Sequence, residues 1–306
     1  MYFKYVIIRQ VQVKKDVIMK ISDVLKDKKI TVSCELFPPK PGAGLGDVNK
    51  VVQQTSELKP FFISVTCGAG GDGSQNTLDM AREVQIVNGI TALPHLVCVS
   101  LGREEIVGML NNLKALGINN IMALRGDYPN GAIEHKSCFK YASDLIEEIH
   151  KHGDFLVGGG CYPEGHPEAE TLQKDIENIK IKVNAGCQFL TTQMFFDNNI
   201  LYNFMFRLLS NGIDVPVIAG IMPVVNAKQI NRILELSGVP LPPRFKAIVD
   251  RFAHCPAAMR QAGIAYATEQ IIDLIANGVN NIHIYTMNKP DIAKSIMNNL
   301  SEIFVK

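Results

Sequence analysis

The stretch TVSCELFPPK, Thr31 to Lys40, sets one carboxylate, Glu35, in an otherwise apolar strand-like run that Pro38 and Pro39 bring to a stop. A carboxylate facing a core is costly unless paired or hydrogen-bonded, whereas at the carboxyl end of a strand it opens into a cleft and can serve as an acid. Asp127, in ALRGDYP, follows a glycine and precedes Pro129, which suits a turn or a charge at a strand's end. His95 stands three residues before Cys98. Side chains three apart in a strand point to opposite faces, so this pair cannot chelate one ion, and His95 reads as a core or cofactor-contacting histidine. Asp175, Asn178 and Lys182 fall at i, i+3 and i+7, a helical face that is either solvated or grips a polyhydroxyl or diphosphate chain. The glycine-rich runs 68–73 and 158–160 lack the G-x-G-x-x-G and Walker A arrangements and read as loops that admit close backbone approach.

These residues need elements to hold them. Eight β-like stretches carry most of them: ITVSCELFP, FFISVTCG, TALPHLVCV, NNIMALRGD, DFLVGGGCY, CQFLTTQMFF, DVPVIAGIMP and NNIHIYTMN. Between them apolar residues recur at helical spacing, as in Ile106, Met109, Leu110, Leu113 and Leu116, closed by Gly117. Strand ends recur roughly every 30 residues, the size of a βα repeat. Only the last gap is about twice that length, and extra helices are expected there across Ala227 to Ser237, Pro243 to Ala253 and Ala257 to Gly278. The pattern predicts an α/β fold, a (β/α)8 TIM barrel over residues 30–306 with extra helices near the C-terminus. Residues 1–29 form a short N-terminal extension with a helix expected from about Lys15 to Leu25. Catalytic groups of such barrels gather at the carboxyl ends of the strands. Glu35, Thr66, His95, Arg125 with Asp127, Tyr162 with His166, Gln193 and Tyr285 all stand there.

Composition narrows the partners. Lys and Arg number 31 against 30 Asp and Glu, a net charge of +1, and no basic run interleaved with aromatics tracks a phosphate backbone, so nucleic acid is not an expected partner. Seven scattered cysteines without a C-x-x-C pair suit reduced thiols in the cytoplasm. Lys4, Arg9 and Lys14 interrupt the apolar N-terminus, which reads neither as a signal peptide nor as a membrane span.

VSCELFPPK, SVTCGAGG, PHLVC, ALRGDYP, YASDLI, CYPEGHPEA, TTQMFFDN, AGIMPV and HIYTMNK follow one another in an order and spacing that resembles the methylenetetrahydrofolate reductases of bacterial type. The resemblance runs from Thr31 to the C-terminus, and ALRGD-x-P together with YPE-x-HPEA is highly specific. It implies a (β/α)8 barrel with non-covalent FAD, no metal, and the short bacterial form without a regulatory domain. It sets Thr66, His95, Leu124, Arg125, Gly126, Asp127, Tyr141, Ala142, Gly160, Tyr162, His166, Asp175, Asn178 and Lys182 around FAD. Glu35, Asp127, Gln193, Gln229, Tyr285 and Lys289 match folate-contacting positions, with Glu35 and Asp127 catalytic.

The implied reaction suits these residue types. Reducing the one-carbon bridge of 5,10-methylenetetrahydrofolate requires protonation of the departing N10, which yields a 5-iminium cation that accepts hydride from flavin N5. Glu35, beside Leu36 and Phe37 at the mouth of an apolar strand, is the candidate acid. Asp127 would supply negative charge near the cation, and Gln193 an acceptor and a donor for the pterin edge. The expected donor is NADH or NADPH, or an electron-delivering partner protein within a homo-oligomer or hetero-complex. The partner-protein option rests on two departures from the family: Ile233 where an aromatic platform is usual, and Lys289 where Arg is common. Two rival readings are a zinc-dependent thiol methyltransferase using Cys34, Cys67 and Cys161, and a non-catalytic scaffold.

Overall fold

The computed structural model describes residues 29–39, 45–67, 74–99, 101–127, 138–228 and 241–304, together with Ile21, Leu25 and Ile230. All eight expected strands form: β1 (Thr31–Leu36), β2 (Phe62–Val65), β3 (Thr91–Val97), β4 (Asn120–Leu124), β5 (Leu156–Cys161), β6 (Phe189–Thr192), β7 (Val217–Ile221) and β8 (Asn281–Tyr285). Each pairs in parallel with the next, and β8 returns to β1, closing the barrel. Helices α1 (Leu45–Ser56), α2 (Ser74–Arg82), α3 (Arg103–Ala115), α4 (Ala142–His152), α5 (Leu172–Asn184) and α6 (Asn198–Ser210) follow the first six strands, and α2 ends in a π-helical turn, Glu83–Val87. The long last gap holds α7 (Pro243–Phe252) and α8 (Pro256–Ala276), close to the expected second and third extra helices. The first, Ala227 to Ser237, lies mostly outside the described residues. After β8 come α9 (Pro290–Asn299) and a last turn, α10 (Ser301–Phe304).

Period-two alternation sorts each strand's side chains between the barrel interior and the helix layer. Val32, Cys34, Leu36, Ile63, Val65, Ala92 and Leu96 join the apolar layer shared with the helices. Phe62, Leu93, Met122, Leu156, Phe189 and Ile218 form a separate buried cluster, the floor of the interior. Ile21 and Leu25 complete that floor, four residues apart and both helical. They are the described part of the helix expected from Lys15 to Leu25.

The glycine run 158–160 corrects the loop reading, for it is strand, within β5. Close approach is what its residues provide: a Cβ on Gly158 would lie 2.2 Å from the Phe189 ring, and one on Gly159 would lie 2.7 Å from the Lys182 stem. The run 68–73 lies outside the described residues.

Candidate active site

Above the apolar floor the interior turns polar. With Cys34 and Leu36 facing the helices, Ser33 and Glu35 of β1 point inward. Register aligns Ser33 with His283, and Glu35 with both Ser64 and Tyr285. The Glu35 carboxyl is buried, its Oε2 3.7 Å from His95 Nε2 and 4.0 Å from His283 Nε2. Both separations exceed hydrogen-bonding distance. Thr286 Oγ1 donates to the Glu35 carbonyl at 2.6 Å, tying the end of β1 to β8. Burial pushes the His95 imidazole down to about 4, against the raising effect of Glu35, so His95 is neutral near pH 7 and its approach to Glu35 is not an ion pair. Its Nε2 is buried with no hydrogen-bond partner.

Tyr285 donates its hydroxyl to the Thr192 carbonyl at 2.5 Å, and burial, then the Glu35 charge, raises its pKa well above the ordinary phenol range. Gly220 makes room for it, since a Cβ there would lie 2.4 Å from the Thr192 oxygen and 2.6 Å from the Tyr285 hydroxyl.

A second group lies across the ends of β4 and β5. Gly126 has φ of +85°, and a Cβ on it would fall 2.2 Å from Val97 Cγ1, so only glycine fits between Arg125 and Asp127. The Arg125 guanidinium forks onto Glu168 at 2.5 and 2.7 Å, and Arg125 Nε donates to the Gly126 carbonyl. The Tyr162 and His166 rings meet edge to face at 4.6 Å. Burial, then the nearby Arg125 charge, lowers the His166 pKa. Lys182 reaches from α5 to donate to the Gly160 carbonyl at 2.6 Å, and the Leu124 side chain flanks Gly160. Asp175 is buried at the start of α5, where desolvation raises its pKa despite a main-chain hydrogen bond from His166 and the nearby Lys182 charge.

The remaining expected residues are less enclosed. Asn178 and Asp127 are exposed, Tyr141 is exposed just before α4 with Ala142 buried behind it, and Thr66 is half-buried with its carbonyl accepting from Thr77. Gln193 Oε1 accepts from the Met194 N–H at 2.9 Å, leaving its amide nitrogen as the group to offer. Lys289 is exposed beside a cleft of about 660 Å³ also lined by Lys228 and Arg260. Gln229 and Ile233 lie outside the described residues.

Sequence reasoning missed Ser33, Ser64 and His283 in the interior, Glu168 on Arg125, and Glu164, whose carboxyl is held up at about 7 by burial and by Asp197. Alternation in NIHIY carried a signal for His283, two residues before the inward Tyr285. The cysteines of the zinc reading do not assemble a site. Burial pushes the Cys34 thiol up to about 12 and raises those of Cys67 and Cys161. Among the described residues no three His, Cys, Asp or Glu side chains are arranged to hold a metal ion.

The family model described as methylenetetrahydrofolate reductase matches residues 20–301, beginning upstream of the motifs that carry the resemblance. A 5,10-methylenetetrahydrofolate reductase of Pectobacterium carotovorum is 33% identical over 89% of this chain and 90% of its own length, and that of Escherichia coli is 34% identical over 89% and 91%. A methylenetetrahydrofolate reductase (NADH) of Zea mays is 33% identical over 94% of this chain, which spans 51% of that protein. Among solved structures, an uncharacterized protein from Clostridium thermocellum that binds two copies of 5-methyl-5,6,7,8-tetrahydrofolic acid shares the fold at a TM-score of 0.62 and 15% identity, over 93% of this chain and 99% of its own. The chain belongs to the methylenetetrahydrofolate reductase family.

Proposed function

We propose that this protein reduces 5,10-methylenetetrahydrofolate to 5-methyltetrahydrofolate at the carboxyl mouth of the barrel, with Glu35 as the acid and FAD as the cofactor. The observation that carries the reading is the setting of Glu35: a buried carboxyl at a strand's end which, among the described residues, pairs with no Lys or Arg and accepts no hydrogen bond. A structural carboxylate needs such partners, and a proton donor does not.

The residues around the mouth fit a flavin nucleotide. Buried His95 Nε2, without a partner, suits a polar edge of the ring system, while Arg125 and Lys182 bring positive charge suited to a diphosphate. Asp175 is an acceptor for ribityl hydroxyls, with Asn178 one turn further along α5. Tyr162, His166, Leu124, Gly126, Gly160, Thr66, Tyr141 and Ala142 would form the walls. FAD, when bound, supplies the hydride that reduces the one-carbon unit.

The chain's own residues handle the proton and the charge. Glu35 gives its proton to N10 as the bond from N10 to the one-carbon bridge breaks, leaving the positive charge on the N5 iminium. Asp127, exposed just past the end of β4, is the carboxyl placed to stabilise that cation. The Gln193 amide and the Tyr285 hydroxyl orient the pterin, Gln229 adds to that set, and Lys289 with Lys228, lining a cleft in which Arg260 is paired to Asp291, suits the carboxylates of the glutamyl tail. The test is to purify the protein, record its visible spectrum, identify the released nucleotide, and mix the photoreduced form anaerobically with 5,10-methylenetetrahydrofolate. Flavin absorbance that returns with formation of 5-methyltetrahydrofolate is expected. A colourless protein that binds no FAD, or a reduced flavin indifferent to the folate, would overturn the reading.

A further inference from the structure

Directly beneath Glu35 lies a hydrogen-bonded group that the chemistry above leaves unused. His283 is 2% exposed, with its ring stacked on Phe62 at 5.5 Å and its edge against Tyr285 at 5.4 Å. Its Nδ1 is 2.7 Å from Ser33 Oγ and its Nε2 is 3.1 Å from Ser64 Oγ. The two hydroxyls bear on where the imidazole hydrogen sits. Ser33 has one hydroxyl proton; given to the Ile282 carbonyl at 3.1 Å, it leaves the oxygen to accept from an Nδ1–H at 2.7 Å. Ser64 is fully buried, and among the described residues its hydroxyl reaches no hydrogen-bonding group except Nε2, so it donates there. This arrangement satisfies both serines and places the imidazole hydrogen on Nδ1 whenever the ring carries only one. Its Nε2, already occupied by Ser64, faces Glu35 Oε2 at 4.0 Å with nothing to donate. The titratable groups around it are Glu35 from β1, His95 from β3 and Tyr285 from β8 itself, while β2 contributes Phe62 and Ser64 and β7 contributes Gly220.

We propose that His283 is a positioning residue for Glu35: locked by Ser33 and Ser64, it supports the carboxyl from below and withholds from Oε2 the donor that would otherwise hold the carboxylate. This inference rests on the folate-reducing reading above. An imidazole presenting Nε2–H at this position would favour the charged, proton-depleted carboxyl. Both rings flank the acid beyond hydrogen-bonding distance, His95 Nε2 at 3.7 Å and His283 Nε2 at 4.0 Å from Oε2.

Two measurements test this separately. In 15N-histidine-labelled holoprotein at about pH 8, the long-range proton–nitrogen pattern that disappears in His283→Phe should show Nδ1 protonated and Nε2 bare. An Nε2–H or doubly protonated ring there overturns the inference, whatever the folate chemistry does. The second measurement is reoxidation of photoreduced flavin by 5,10-methylenetetrahydrofolate across pH. His283→Phe keeps the stacked ring and should slow this step by about 10²-fold, the scale of a misplaced catalytic group, with melting temperature and dithionite reduction unchanged. His283→Gln, whose amide oxygen can accept from Ser64, should recover part of the rate. If the Phe variant loses FAD or melts early, Ser64→Ala carries the test, and it should slow the folate step and alter its pH profile while remaining yellow. Wild-type rates and profile in the variant that folds overturn the positioning role. Failure of the wild-type protein to react with folate would instead sink the underlying reading.

Discussion

Asp127 and Glu35 are two carboxyl groups in opposite settings, one exposed after a left-handed glycine and one buried beside two imidazoles. The exposed group suits a standing charge and the enclosed one a transferable proton. Asp127→Asn removes the charge with little change in volume, and stopped-flow traces should show the folate half-reaction slowed by roughly 10²-fold, as for loss of one electrostatic stabiliser. Flavin reduction by dithionite and the melting temperature should be unchanged. An untouched folate step would leave Asp127 as a turn residue. At this scale the sequence showed Glu35 because prolines stop its strand just past a lone carboxylate in an apolar run. It hid Ser33, Ser64 and His283, since a small hydroxyl or a single histidine in an apolar strand reads as core until β8 closes on β1.

The strands themselves were legible from apolar runs that end in turn chemistry, and so were α7 and α8 in the long last gap. The role of β5 was not, because a triple glycine reads as loop until its neighbours are known. In the barrel Gly158 lies under the Phe189 ring, and Gly158→Ala should cost about 1–3 kcal/mol by overpacking, seen as a lower denaturation midpoint at unchanged slope. A midpoint equal to wild type would mean that Phe189 moves aside freely. Helix α4 offers a different test. Its buried Glu148 accepts from Arg103 at 2.6 Å, His152 at 3.2 Å and Lys151 at 3.3 Å. Burial alone would raise its pKa, but hydrogen bonds from His152 and Lys151 and the Arg103 charge outweigh burial and hold it below the ordinary carboxylate value. A carboxyl with a depressed folded-state pKa contributes stability that is present above its unfolded pKa and lost as pH falls through the folded value. Glu148→Gln should therefore melt below wild type at neutral pH, with the gap narrowing in acid; a gap that stays constant with pH would assign the loss to packing.

At the scale of the molecule, closure of the barrel converts eight separate strand ends into one mouth, and that convergence is why residues from Glu35 to Tyr285 share a site. The repeat of about one strand per 30 residues made closure readable, whereas the floor laid by Ile21 and Leu25 was not, since no motif marks it. The electron donor is also a property of the whole. On the flavin reading proposed above, and with Ile233 and Lys289 at positions where the resemblance implies an aromatic residue and an arginine, loss of stacking alone should weaken nicotinamide nucleotide binding about threefold to tenfold. Anaerobic NADH and NADPH should then bleach the flavin slowly while a low-potential dye reduces it promptly. Rapid bleaching at micromolar nucleotide would remove any need for a partner protein. The central claim, that Glu35 is the proton donor of a flavin-dependent folate reduction, is tested most directly by comparing wild type with Glu35→Gln in the anaerobic reoxidation of photoreduced flavin by 5,10-methylenetetrahydrofolate. The account predicts that both proteins retain FAD and that the variant reoxidises about 10²–10⁴-fold more slowly, the usual contribution of a general acid; reoxidation of Glu35→Gln at the wild-type rate would contradict it.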